Sequence, residues 1–346
     1  MCDNAFLILA TPVTARSPAS SNIRTWTPLF TGAAYGMLLR LGFALGPLEG
    51  VLQIVSLSFL VVAPVCVGAL AVFMAADGHL IPVRRQARVA CLSMALFLLT
   101  MFVTLLEGLI CIVLVAPVFL LAALLGGLAA GWFVNRRASS LGTVAAFVLL
   151  PLLVGPLEST LPATHSEQTV TSSIRIVAPP EVVFDQLADV RDIRPAELGF
   201  SFVHLIGLPK PIAADMHGSG VGAVRVSRWE KNVRFQEVIT VWNRPHAMHY
   251  RFHIPPGSIP RDALDRHVEM GGDYFTVLDG GYDLAPAADG TTLLTLHTRF
   301  ANKSRLTVYG NLWGKLVLQD FHQSILGLMR MRAELATSAL PVKNFP

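Results

Sequence analysis

The sequence predicts a chain in two parts: an α-helical membrane bundle of five crossings, then an α+β domain whose antiparallel sheet wraps a long C-terminal helix. Three observations carry this expectation. Of 346 residues, 53% are hydrophobic and only 14% charged, against roughly 25% charged in soluble domains. The charge is lopsided, with 8 Lys/Arg and 4 Asp/Glu in residues 1–157 but 19 of each in residues 158–346. From Gln168 onward the long apolar runs give way to alternation with period two, the pattern of half-buried strands.

The net charge of +4 thus belongs to the first half. It reflects loops beside a membrane, and no nucleic-acid partner is expected. Residues 1–27 are mostly polar. Their one apolar run, AFLILA, is short and has no basic segment before it, so no cleaved signal peptide is expected. Cys66, Cys91 and Cys111 lie in apolar runs and Cys2 near the start. The second half has no cysteine, hence no internal disulfide and no thiolate metal site.

A bilayer core needs about 20 apolar helical residues per crossing. The expected crossings are 28–46, 51–75, 89–107, 109–134 and 141–157, with GPLEG (46–50) as the first turn. The stretch 89–134 would be about 70 Å long as one helix, which is enough for two crossings. Glu107-Gly108 is its charged break and the expected hairpin. Without that hairpin the count is four and the following domain changes sides.

Arg16 and Arg24 precede the first crossing, Arg84, Arg85 and Arg88 follow the second, and Arg136 and Arg137 follow the fourth. Positive loops stay in the cytoplasm. With five crossings every basic cluster can do so, which puts the N-terminus inside and the C-terminal domain on the periplasmic or extracellular face of a bacterial inner membrane. Trp26 and Trp132 fall at the cytoplasmic ends, where indole favours the headgroup layer. Arg40 interrupts the first crossing. A buried guanidinium needs a partner or a route to the headgroups. Glu107 is the expected partner; snorkelling, and a transport or ligand role, are the alternatives. No inverted repeat or ion pathway is evident, and no phosphate loop, HExxH or GxSxG motif occurs.

A linker is expected at 158–166, the globular domain at 167–337 and a tail at 338–346. TVTSSIRIV (169–177) reads as a strand, and Pro179-Pro180 ends it. PEVVFDQLADV is a helix with Pro180 at its first position, where a missing N–H does no harm. Strands follow at 222–230, 233–242, 247–254, 274–284 and 291–300, separated by Lys231-Asn232, Asn243-Arg244-Pro245 and Ala288-Asp289-Gly290. A helix from about 305 to 336 places Tyr309, Trp313, Leu316, Val317, Phe321, Ile325 and Leu328 on one face.

IRIVAPPEVVFDQLADV, VGAVRVSRWEKNVRFQEVITVWNRP and the long final helix together resemble the START-like, or SRPBCC, superfamily with its helix-grip fold. That superfamily includes polyketide cyclase/dehydrase-like proteins and lipid-transfer domains. The resemblance spans roughly residues 167–337. The fusion to a multi-pass membrane region is similar to that of membrane-anchored bacterial members. The resemblance implies a cavity between sheet and helix; the superfamily holds both enzymes and pure binders, so activity stays open.

Strand parity selects candidates. On 233–242, Val233, Phe235, Glu237, Ile239 and Val241 share one face; Arg234, Gln236, Val238, Thr240 and Trp242 share the other. Glu237 therefore points inward, with Arg225 on the neighbouring strand as its natural partner. It is either a register-fixing ion pair or a ligand-contacting, even catalytic, carboxylate. Met248, Tyr250 and Phe252 face in; His249, Arg251 and His253 face out. The stretch 267–284 is the densest in polar groups. His267, Glu269 and Asp273 match no standard metal spacing, so no metal is expected. Gly271-Gly272 and Gly280-Gly281 are expected to make bulges or tight bends that aim Tyr274 and Tyr282. Tyr309 and Trp313 either line the cavity or fill it. His322 is expected to be a core or surface histidine rather than a general base. The candidate ligand set is Arg225, Glu237, Tyr250, Tyr274, Tyr282, Tyr309 and Trp313, with no cofactor.

These features predict a membrane-anchored module that binds a lipid or other hydrophobic small molecule and touches membrane lipids. A cyclase, dehydratase or lipid-modifying enzyme in the same cavity is the alternative, and a structural partner in an envelope protein complex is a third.

Overall fold

The computed structural model describes residues 18–44, 56–162, 165–260, 263, 271–272 and 274–339. The expected GPLEG turn with Glu49, the basic Arg16, and His267, Glu269 and Asp273 lie outside the described residues.

Five long helices come first: α1 (Pro18–Phe43), α2 (Ala63–Ala76, preceded by a π-helical turn at Ser58–Val62), α3 (Val83–Val103), α4 (Leu109–Asn135) and α5 (Leu141–Ser159). Four of them are long and apolar enough to cross a membrane: Ser58–Ala76, Val83–Val103, Leu109–Asn135 and Leu141–Ser159. The first expected crossing, 28–46, corresponds to α1, which is diluted by Ser, Thr, Gly and two Arg residues and is not among them. α1 also starts ten residues before the expected 28. Arg84, Arg85 and Arg88 lie in the first turns of α3 rather than in a loop.

α3 ends at Val103, so the expected 89–107 crossing stops four residues early, and Glu107 sits in the connection to α4. Arg40 Nε donates to Glu107 Oε1 at 2.9 Å and its Nη2 to the Leu106 carbonyl at 3.3 Å. Both charges are buried, and together they tie α1 to the α3–α4 hairpin. α2 and α4 touch through glycines. A Cβ placed on Gly68 would lie 2.0 Å from the Ala123 carbonyl oxygen, and one on Gly126 would lie 1.9 Å from that of Val65. Small residues of this kind let membrane helices approach backbone to backbone.

The expected linker is partly helix. Glu158, in the last turn of α5, is buried and accepts from the Leu57 and Ser58 amides at 2.7 and 2.9 Å. A carboxylate there satisfies orphan N–H groups where the helical turn leading into α2 begins.

The second half contains β1 (Ser166–Ile176), α6 (Pro180–Ala188), α7 (Phe202–Leu205), β2 (Pro211–His217), β3 (Val224–Trp229), β4 (Arg234–Asn243), β5 (Ala247–His253), β6 (Phe275–Pro286), β7 (Thr292–Asn302) and α8 (Thr307–Ser338). The strands form one antiparallel sheet in the order β1-β7-β6-β5-β4-β3-β2. α8 packs across β1 and β7 and against α6. This is the sheet-around-a-helix arrangement expected from the sequence, with one strand more. The edge strand β2 begins at a proline and carries a bulge between Pro211 and Ala213, so its residues show no clean alternation.

The core under the sheet joins Ile176, Phe184, Leu187, Ile239, Met248 and Leu326. Two parity assignments need correction. A register shift between Ile239 and Val241 turns Val241 outward, while Trp242 packs edge-on against Phe184 with ring centroids 5.2 Å apart. A bulge adds one residue and so inverts every later assignment on its strand. On α8, Leu316 is exposed and forms an outer row with Val308 and Leu312.

Gly280 and Gly281 also differ from expectation. They sit in regular pairing, and the β6 bulge lies earlier, between Val277 and Asp279. Their lack of a side chain makes room instead. A Cβ on Gly280 would lie 3.3 Å from the Tyr250 ring, and one on Gly281 would lie 2.4 Å from His249 Cδ2.

Candidate functional site

Between the concave face of the sheet and α8 lies a cavity of about 310 Å³, at the small end of the ~300–1,000 Å³ usual for ligand sites. Arg225, Glu237, Tyr250 and Tyr282 mark its polar end. β3 and β4 pair Arg225 directly with Glu237, so alternation delivers both side chains to the same face. Arg225 Nε donates to Glu237 Oε2 at 2.6 Å and its Nη2 contacts the same carboxylate. Arg225 Nη1 donates to the Leu187 carbonyl at 2.6 Å, and Ser227 Oγ donates to Glu237 Oε1 at 2.7 Å. The pair is 2% and 5% exposed. Ser227 has the same parity as Arg225, a signal the sequence carried and the strand reading did not use.

The guanidinium lies over the Tyr250 ring at 5.0 Å and faces that of Tyr282 at 5.7 Å, within range of cation–π attraction. Burial opposes the charge on Arg225, but the Glu237 carboxylate outweighs it and holds the guanidinium above its ordinary value. Burial raises the phenols of Tyr250 and Tyr282; the Glu237 carboxylate adds to that rise, and the Arg225 guanidinium opposes it without cancelling it. Both therefore stay neutral. Both oxygens of Glu237 are occupied by donors. This end of the cavity thus presents a compensated charge pair and neutral hydroxyls, and among the described residues the Glu237 carboxylate there is fully engaged.

Aromatic rings line the middle. Trp229 stacks on Phe321 at 5.0 Å, and Phe235 and Phe252 follow at 5.8 Å from each other. Tyr274, Tyr309 and Trp313 reach the cavity from its other end. The candidate residues thus fall into two groups at opposite ends of one space.

The far wall is not part of the sheet domain. Ile110, Leu114 and Val118 of α4, with Phe59 and Leu60 before α2, close that side, and Glu107 also lines it. Tyr309 Oη donates to the Leu114 carbonyl at 2.5 Å. Pro117, inside α4, has no N–H to offer the preceding turn, so the backbone ladder of α4 is broken next to the carbonyl that Tyr309 engages. Arg305 donates to the carbonyls of Pro162 and Leu161 at 2.6 and 3.0 Å and stands 3.7 Å from the Glu158 carboxylate. Nothing in the local sequence around Leu114 or Arg305 signals these contacts, which span 195 and 143 positions.

His322 lies outside this set, on the α8 face toward β1 and β7. Its Nε2 shares a hydrogen bond with Thr298 at 2.9 Å and its Nδ1 with Ser172 at 3.3 Å. Burial, helped by nearby His297, pushes it down to about 4. It is a neutral core histidine, the first of the two placements the sequence left open.

No family model matches the chain, and no curated relative matches it. Solved structures similar to part of it include Ara h 8.0201, at 13% identity and a TM-score of 0.31 over 51% of this chain and 100% of that one. Truncated norcoclaurine synthase from Thalictrum flavum is 10% identical, with a TM-score of 0.33 over 52% of this chain and 99% of its own. The Zhui aromatase/cyclase from Streptomyces sp. R1128 is 14% identical, with a TM-score of 0.33 over 50% and 98%.

Proposed function

We propose that this chain is a membrane-anchored binding module for an amphiphile, a lipid or another hydrophobic small molecule. The apolar part would lie between α8 and α4, and the polar part would reach the Arg225–Glu237 end. The observation that carries this reading is the cavity wall contributed by α4. A ligand in this cavity would touch the sheet domain on one side and a membrane helix on the other. Lipophilic molecules are most concentrated in the bilayer, so such a wall favours entry from the membrane.

The orientation follows from charge. The cavity meets the helices at the Glu107 and Glu158 ends, whereas Arg84, Arg85, Arg88, Arg136 and Arg137 lie at the opposite ends of the same helices. With positive ends in the cytoplasm, the domain faces outward from a bacterial inner membrane, the N-terminus stays inside, and α1 crosses as well, which brings the count to five. An enzymatic use of Glu237 would first require the Arg225 and Ser227 bonds to open.

Native mass spectrometry with lipid extraction on the full chain in mild detergent tests the reading. A co-purifying amphiphile of defined mass is expected, and Val317→Trp, which fills the cavity centre, should displace it. A clean apo mass in the wild type would favour a structural role in an envelope complex. A reporter fused after Pro346 that works only in the cytoplasm should be silent; activity would place the domain inside.

A further inference from the structure

The opposite, convex face of the sheet carries a second cluster. β5, β6 and β7 are consecutive neighbours. Register sets His249 opposite Gly281, and Gly281 opposite His297. The two histidines therefore flank one glycine on the same face. Because Gly281 has no side chain, the imidazoles lean over it and meet with ring centroids 4.8 Å apart and planes at 88°. A Cβ at that point would lie 2.4 Å from His249 Cδ2. Asp283 follows two residues along β6, on the same face. Its Oδ1 is 2.9 Å from His249 Nε2, and its Oδ2 is 3.5 Å from His297 Nδ1. One ligand atom from each residue lies within 4.8 Å of the others.

We propose that His249, His297 and Asp283 form a binding site for a divalent transition-metal ion of the Zn²⁺ class. Around a tetrahedral ion with bonds of ~2.0–2.1 Å, ligand atoms stand about 3.4 Å apart. The two imidazole–carboxylate distances bracket that separation. Two neutral nitrogens and one carboxylate suit Zn²⁺, Co²⁺, Ni²⁺ or Cu²⁺ and not the all-oxygen shells of Ca²⁺ or Mg²⁺. All three ligands stand on paired strands, which hold a site more tightly than loops do. Side-chain exposures of 30% for His249, 24% for His297 and 51% for Asp283 leave the fourth position open to water. Glycine inside a strand marks close approach of another group; here that group is the His249 imidazole, which the His297 ring then meets edge to face. The site lies across the sheet from the cavity and does not depend on the amphiphile reading. A bound ion would clamp three strands together.

The test is equilibrium dialysis of Zn²⁺ against the full chain in detergent at pH 7.5, purified with a tag that contains no histidine. The wild type should bind one equivalent at micromolar free metal and gain thermal stability with it. Co²⁺ should give the visible absorption of a low-coordinate site. His249→Ala and His297→Ala should each weaken binding at least tenfold and remove that absorption, while His253→Ala, at an exposed histidine on the same face of β5, should change neither. Asp283→Asn should weaken binding and leave the metal-free melting temperature within a few degrees. No stoichiometric binding by folded wild type, or equal binding by the two histidine variants, would overturn the proposal and leave an imidazole–carboxylate contact only.

Discussion

Replacing Glu237 tests whether the cavity's polar end is a structural pair or a ligand grip. Arg225 makes two contacts to Glu237 and one to the Leu187 carbonyl, in a site almost closed to water. Glu237→Gln keeps an acceptor oxygen but removes the charge. Two unit charges about 4 Å apart at an effective dielectric of 20 attract by about 4 kcal/mol. Removing one partner of a buried pair typically costs 3–5 kcal/mol. Gln should fall at the lower end, about 3 kcal/mol, or roughly 6–12 °C in melting temperature for a domain of this size. Arg225→Met should cost less at pH 5.5 than at pH 8, because a stranded carboxyl takes up a proton while a stranded guanidinium cannot shed one. The paired replacement Arg225→Met with Glu237→Leu should recover most of the loss. The assay is thermal unfolding of the full chain in detergent, followed by tryptophan fluorescence, together with lipid extraction from each variant. A stable double variant that has lost its amphiphile assigns the pair to ligand capture as well as to folding. An unchanged melting temperature in Glu237→Gln would refute the buried-charge reasoning outright.

Three more outcomes follow from the same geometry. His322 is held at about 4 against 6.5 for the free imidazole, so the unfolded chain binds this proton first. Stability should be full above pH 6.5, fall through the window to about pH 4 by about 3 kcal/mol, and then level off; acid melts of His322→Gln should lose most of that slope. Gly126→Ala drives a methyl into the Val65 carbonyl and should destabilise the helices by about 1–3 kcal/mol, read as detergent melting temperature, whereas Gly142→Ala, with 3.6 Å to its nearest neighbour, should be silent. Glu107→Gln strands the buried Arg40 and should cost about 3 kcal/mol or more; equal expression and melting would show that Arg40 does not need its partner.

Some of this was legible in the chain and some was not, for physical reasons. Period-two alternation carried most of the sheet, because a strand with one buried face must alternate. It failed at Val241 and Trp242, where a bulge shifts the register, and at β2, whose Pro211 start and bulge break the pattern. Arg225 and Glu237 could be matched because both were inward by parity on adjacent strands. Arg40 and Glu107 could be matched because Arg40 interrupts an apolar crossing near the end where Glu107 breaks the next long apolar run. His249, Asp283 and His297 could not be matched. His249 reads as a solvated outward residue, and only the register that centres Gly281 between β5 and β7 shows that the two imidazoles share a site. Gly280-Gly281 reads as a bend in sequence; in the sheet it is a gap used on both faces, by Tyr250 on one and His249 on the other.

The placement of α4 accounts for the fusion of the two halves. A sheet wrapped around one helix could close its cavity with its own side chains, and then the N-terminal helices would be a tether only. Here the first three turns of α8 turn Tyr309 and Trp313 inward and leave Val308, Leu312 and Leu316 outward. That outer row is apolar where the helix stands beside α4 and the end of α5, so it suits a lipid environment better than water. Tyr309 to Leu114 on one side, and Arg305 to the carboxyl end of α5 on the other, fix α8 to the bundle at two separate points. Cutting the chain at the linker would therefore do more than free a soluble domain. It would remove the Ile110–Leu114–Val118 wall, open the cavity to water and leave the already exposed outer row in water as well. On this geometry the isolated domain should aggregate or collapse its cavity, and ligand binding should require both halves in one chain.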